Sequence, residues 1–265
     1  MSLATFYRWH DGTLHPFDYC DLTETIVEVA DSWLVSDGDA FALELHRTRF
    51  LDGVARHGSL SLDAQGFWDA AVSAIPRQGD WFPRVELRSR GGAPVLVFRL
   101  RPAPQRMRSL TVATHGGEDP RTAPAVKGPD LDAMLRLRTG AQRRGADEAV
   151  IVTPLGFVVE GTSTAFVWWR GPVLCAPPAQ FERVESVTAK SVLAMAAALG
   201  VELREEAATP AELDGLEVWA LNALHGIRMV TDWIDGPGLA EEPGRLQIWR
   251  SRLDALRQPL EGRAE

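Results

Sequence analysis

Apolar and polar positions alternate along this chain with two different periods, and the switches between them lay out its elements. Residues 24–29 (ETIVEV) and 32–35 (SWLV) read as strands. Ser36-Asp37-Gly38-Asp39 follows as a hairpin signal, because Asp-Gly accepts the positive φ of a tight primed turn. From 43 to 57 the period becomes helical: Leu43, His46, Phe50 and Val54 share one face, and Glu44, Arg47 and Asp52 lie opposite. Residues 84–90 (RVELRSR) alternate, 94–100 (PVLVFRL) are mainly apolar, and Gly91-Gly92 supplies the turn of a second hairpin.

The second half mixes helix and strand. A strand-like stretch at 109–113 precedes a helix over 131–144, with Leu131, Met134, Leu135 and Arg138 on successive turns and a stop at Gly145. Strands follow at 148–153, 157–160, 164–169 and 173–176, then a helix over 188–199 ended by Gly200, and a strand at 218–221. Pro102, Pro104, Gly116, Gly117, Pro120, Pro124 and Pro129 crowd the stretch between them. This predicts an N-terminal domain over 1–117, a linker over 118–126 and a C-terminal domain over 127–265, in an α+β or α/β chain of two parts.

With 265 residues and 45% hydrophobic composition, the chain can bury a substantial core. Its net charge of -8 argues against nucleic acid or an anionic membrane as partner. The start MSLATFYRWHDG lacks the basic and apolar regions of a signal peptide, and no apolar run reaches membrane-spanning length, so a cytoplasmic location is expected. Cys20 and Cys175 lie outside any CxxC pattern, and the six histidines form no HxH or HxxxH pair; no metal site is expected. Serine-hydrolase, P-loop and dinucleotide-binding fingerprints are absent.

Of 28 basic residues only Lys127 and Lys190 are lysines. Arginine stays protonated, whereas a lysine can condense with a carbonyl group. Lys127 sits in Pro-Ala-Val-Lys-Gly-Pro just before a helix. Glu160 closes an apolar strand ahead of the small-residue turn Gly161-Thr162-Ser163-Thr164. Ser186-Val187-Thr188 opens a helix, where free N–H groups suit an anion, although plain capping by Ser186 explains the same residues.

Several short segments, taken in order, resemble the class IV aminotransferases, the fold-type-IV enzymes that use pyridoxal phosphate (PLP) and include branched-chain aminotransferases, D-amino acid aminotransferases and aminodeoxychorismate lyases. Leu45-His46-Arg47-Thr48-Arg49-Phe50 resembles the family's H-x-x-R-L helix, and Lys127 precedes a helix as the family's lysine does. Gly145-Ala146-Asp147-Glu148-Ala149 resembles G-x-D-E-A, and Gly156-Phe157-Val158-Val159-Glu160-Gly161 resembles G-x-V-x-E-G. Glu185-Ser186-Val187-Thr188 resembles the phosphate loop P-G-I-T-R, and Leu221-Asn222-Ala223-Leu224 is similar to the lyase branch.

The resemblance implies a small N-terminal α/β domain and a larger C-terminal domain with a mixed-sheet or barrel-like core. It implies Lys127 as the catalytic residue, joined to PLP as a Schiff base, Glu160 at the pyridine nitrogen and Arg49 on the phosphate. Val187, Thr188, Ser163 and Asn222 would complete the phosphate cradle. The activity implied is transfer of an amino group between a small amino acid and a 2-oxo acid in a homodimer; the alternatives are β-elimination releasing pyruvate and a non-catalytic dimer of the same fold. Departures are Asp132 where several branches carry a tyrosine, Glu185-Ser186 for Pro-Gly, and Ala189 for Arg. Arg84 and Arg88, on one face of their strand, either bind a substrate carboxylate or face solvent. The nine tryptophans suit a hydrophobic core or a dimer contact.

Overall fold

The two hairpins read from the sequence anchor the first of two compact units, which comprises residues 1–105, 126–129 and 256–265. The computed structural model describes residues 4–22, 25–91 and 93–260; Glu24 of the first expected strand and Gly92 of the second expected turn lie outside them. In this unit β1 (Thr5–His10), β2 (Thr13–Phe17), β3 (Ile26–Ser32), β7 (Arg84–Arg90) and β8 (Ala93–Leu100) form an antiparallel sheet in the order β2-β1-β8-β7-β3. The small strands β4 (Val35–Ser36), β5 (Asp39–Phe41) and β6 (Asp80–Trp81) form a second sheet with the C-terminal strand Arg257–Pro259. Asp37 and Gly38 both take positive φ, 46° and 85°, as the Asp-Gly turn requires.

One face of the larger sheet is apolar because the strands alternate. Val85, Leu87, Leu96 and Phe98 point from it into a core with Phe50 and Val54 of helix α1 (Leu43–Arg56) and Phe67 and Trp68 of helix α2 (Ala64–Ser73). Trp33, Phe50, Phe67 and Trp68 are completely enclosed, and each contributes about 1.5–3 kcal/mol through lost apolar exposure. Gly53 permits α1 to lie against β3, since a Cβ there would sit 2.5 Å from a Val29 methyl. The pattern had not marked α2, whose first turn is closed by the Asp63 carboxylate accepting the Gly66 N–H at 2.8 Å.

The second unit comprises residues 106–125 and 130–255. Its sheet has the order β11-β10-β9-β16-β15-β12-β13-β14, from β9 (Ser109–Thr114), β10 (Glu148–Val152), β11 (Val158–Gly161), β12 (Ala165–Arg170), β13 (Val173–Ala176), β14 (Leu203–Glu205), β15 (Glu217–Asn222) and β16 (Gly226–Ile234). This is the mixed sheet expected: β9 pairs in parallel with both β10 and β16, whereas β15 is antiparallel to both its neighbours. Those pairings place β9 in this unit, although it interrupts the Pro- and Gly-rich stretch between residues 101 and 129. Helices α3 (Leu131–Arg143), α4 (Val187–Ala198) and α5 (Arg245–Asp254) complete the unit. Val112, Val150, Phe166, Trp168, Val218, Ala220 and Trp233 make its core.

Candidate active site

Lys127 is fixed through its backbone. β3 is an edge strand of its sheet, and the Ala30 N–H donates outward to the Lys127 carbonyl at 2.6 Å. The next residue must be glycine: a Cβ on Gly128 would lie 2.5 Å from the Glu28 carbonyl oxygen and 2.9 Å from the Val29 Cα. On the N-terminal side, the buried Asp130 carboxylate accepts the Thr122 N–H and hydroxyl, both at 2.8 Å, and the Ala123 N–H at 2.9 Å. The Pro-rich stretch thus presents its lysine from a closed loop. The other lysine, Lys190, pairs at 2.7 Å with Glu185 in a largely exposed contact.

Beside Lys127 lies a buried charge network. Asp31, at the end of β3, accepts from Arg49 Nε at 2.7 Å and Nη2 at 2.9 Å, from the Ser32 N–H at 2.7 Å, and meets His46 Nδ1 at 2.7 Å. Burial alone would raise the Asp31 pKa, but the Arg49 and His46 partners hold it well below the usual carboxylate range. Burial lowers that of His46, and the Arg49 and Lys127 charges act in the same direction against the attraction of Asp31. His46 is therefore a neutral imidazole whose Nδ1–H donates to an ionised Asp31. His46 and Arg49 meet the same carboxylate because they stand one helical turn apart on α1.

In the second unit Glu160, nearly buried on β11, forms an ion pair with Arg121 Nη1. The opposite edge of that guanidinium holds Asp119, from Nε at 2.9 and 3.0 Å and from Nη2 at 2.6 Å. Desolvation works against the charges, yet the hydrogen bonds from Arg121 lower the Asp119 pKa, while Asp119 and Glu160 raise that of Arg121. Asp119–Arg121–Glu160 is thus a chain of paired groups that fixes the Glu160 carboxylate.

Ser186 caps α4 as expected, its hydroxyl accepting the Ala189 N–H at 3.2 Å. The N–H groups of Val187 and Thr188, in the first turn, precede any intrahelical bond, and both side chains are buried. Ser163 donates to Glu148 Oε2 at 2.5 Å, and Thr162 donates to the other oxygen. Asn222 ends β15, where its Oδ1 accepts the His225 N–H at 2.8 Å and leaves Nδ2 as its donor end. Arg84 and Arg88 are neither solvated nor separate: both pair at 2.7 Å with the buried Glu86 between them, and Arg88 also reaches the Thr25 hydroxyl at 2.6 Å. Asp132 is exposed in the first turn of α3. No group of metal-ligating side chains occurs among the described residues.

The family model described as amino-transferase class IV matches residues 28–233, most of the chain. The chain is a class IV aminotransferase. No curated protein matches the sequence significantly, but the fold has many solved counterparts. A branched-chain aminotransferase from Thermoproteus uzoniensis with norvaline superposes with a TM-score of 0.78 at 19% identity, over 97% of this chain and 100% of that one. A hypothetical aminotransferase from Mycobacterium tuberculosis, in an α-ketoglutarate and PMP bound form, gives 0.79 at 20% identity over 95% and 98%. The Escherichia coli branched-chain amino acid aminotransferase gives 0.79 at 17% identity over 94% of each chain. The fold is that of fold type IV, and the cofactor of this family is PLP.

The side chains of this class IV aminotransferase suit that cofactor: a primary amine on a loop closed by Asp130, a guanidinium whose plane Asp31 fixes, a carboxylate fixed by Arg121, and a buried helix start with free donors. Sequence reasoning missed Asp31 and Arg121. Both make pairings across many residues, 18 to Arg49 and 39 to Glu160; a local signal existed only for Arg121, in the acidic Asp119 two residues before it.

Proposed function

We propose that this aminotransferase moves an amino group between a small amino acid and a 2-oxo acid, with Lys127 as the reactive amine. The observation that carries this reading is the contrast between the two lysines: Lys190 is a surface ion-pair partner, while Lys127 is held by backbone contacts beside the Asp31–His46–Arg49 network. The α-ketoglutarate in the M. tuberculosis neighbour supports a 2-oxo acid as acceptor.

PLP, when bound, supplies the carbonyl that takes up the amine and the ring that withdraws electrons from the substrate Cα. In this reading Lys127 would be the residue joined to that carbonyl, and its amine would be the group that moves the proton of the substrate Cα. Glu160, held in place by Arg121, would meet the pyridine nitrogen and keep its proton there. Arg49, the Val187 and Thr188 N–H groups, the Thr188 hydroxyl and Asn222 Nδ2 receive the phosphate. Ser163 would join them by turning its hydroxyl from Glu148. Arg84 and Arg88, which share one carboxylate, keep a net positive charge that a substrate carboxylate can meet.

The Asn222-Ala223-Leu224 segment favours a second reading, β-elimination with release of pyruvate. We also read the protein as a cytoplasmic homodimer; no helix among the described residues is long and apolar enough to cross a membrane. Adding amino acids singly to the PLP-loaded enzyme and following the cofactor spectrum tests the main reading. Conversion by at least one amino acid, reversed by a 2-oxo acid, is the expected result. Pyruvate release from aminodeoxychorismate without any acceptor would establish the second reading instead, and no spectral change with any amino acid would overturn both.

A further inference from the structure

Arg49 is not a lone cation on α1. Its Nε and Nη2 both point at one carboxylate, at 2.7 and 2.9 Å, and that carboxylate is itself completely enclosed. Two hydrogen bonds to one planar group fix the guanidinium plane as well as its position. We propose that Asp31 is a positioning residue for phosphate recognition: by holding both Nε and Nη2 of Arg49, it fixes the plane in which the guanidinium meets the cofactor phosphate. The inference rests on the reading of Arg49 as the phosphate clamp.

The remaining contacts of Asp31 support this role. Its Oδ1 also accepts the Ser32 N–H and meets His46, so the carboxylate cannot swing with the arginine; the arginine must conform to it. An arginine with free rotamers would lose them on closing around an anion, and here the loss has already occurred. The Asp31 and Arg49 charges offset each other. The pair therefore recognises phosphate by directed N–H groups rather than by net charge, and orientation decides affinity.

The test compares equilibrium binding of PLP and of pyridoxal, which lacks the phosphate, to apo-protein by absorbance and fluorescence, with melting curves as a check on folding. The wild type is expected to prefer PLP. Asp31→Asn, which can no longer accept from both Nε and Nη2, is expected to bind PLP at least tenfold more weakly and pyridoxal within twofold of wild type. In an Arg49→Gln background the same substitution should change neither affinity, because its effect passes through the arginine. Arg49→Lys, which keeps a charge opposite Asp31 but not the two-point grip, should lose PLP affinity selectively even if Asp31→Asn fails to fold.

A wild type that binds both ligands equally would remove Arg49 from the phosphate site, and the underlying reading with it. A phosphate-selective wild type combined with unchanged PLP affinity in Asp31→Asn would overturn the positioning role alone. So would equal losses for both ligands, or unchanged PLP affinity in Arg49→Lys.

Discussion

At the scale of single residues the account depends on which groups are held and by what. Lys127→Ala should abolish amino transfer, with kcat falling by at least ~10³-fold, since Lys127 is the amine proposed to move the Cα proton; a single-turnover assay with added PLP checks this. Glu160→Gln keeps the size of the side chain and removes its charge. It should lower kcat by about 10²-fold or more while leaving PLP bound, a split that separates ring protonation from cofactor retention. Asp31, His46 and Arg121 were not readable as partners from the sequence. Burial and pairing of charges depend on which strand and helix face each other, whereas Lys127 stood out because only two lysines occur in the chain. The arginines at 84 and 88 were read as bound to a substrate or solvated; in the structure they pair with Glu86, a carboxylate within the same strand.

At the scale of elements, legibility followed the regularity of the pattern. Helix α1 and both hairpins were visible because their apolar positions recur without interruption and their turns carry glycine. The last long strand, β16, was not: its register shifts between Val230 and Asp232, which breaks the alternation. Helix α5 also escaped, because few of its residues are apolar and only Trp249 and Leu253 are buried. The loop that carries Lys127 shows how an element makes a site. Gly128→Ala must displace either that loop or β3, because the added methyl would meet the backbone of Glu28 and Val29. A loss of about 1–3 kcal/mol is expected, measured by urea unfolding, together with weakened PLP uptake; unchanged uptake would show that the backbone contact does not place the lysine.

At the scale of the whole molecule, two buried histidines set the acid limit of stability. Burial, aided by Arg228, Arg138, Arg106 and Arg250, pushes His225 down to about 3, and His46 is lowered as well. Each is neutral in the folded chain but takes a proton in the unfolded chain below pH ~6.5, so the unfolded state binds more protons and folding stability falls as pH drops below that value. Denaturant titrations should lose about 2 kcal/mol through His225 by pH 5, with His46 acting in the same direction, and His225→Gln, which keeps an acceptor for the Met107 N–H, should flatten that limb. A profile unchanged by the substitution would show that His225 does not contribute to it. The fold-type-IV architecture persists at 17–20% identity to the solved structures compared, so the fold alone cannot identify the amine. The most direct measurement is borohydride reduction of the PLP-loaded protein followed by peptide mass mapping: the account predicts one pyridoxyl adduct, on Lys127, and an adduct on Lys190 or none at all would contradict it.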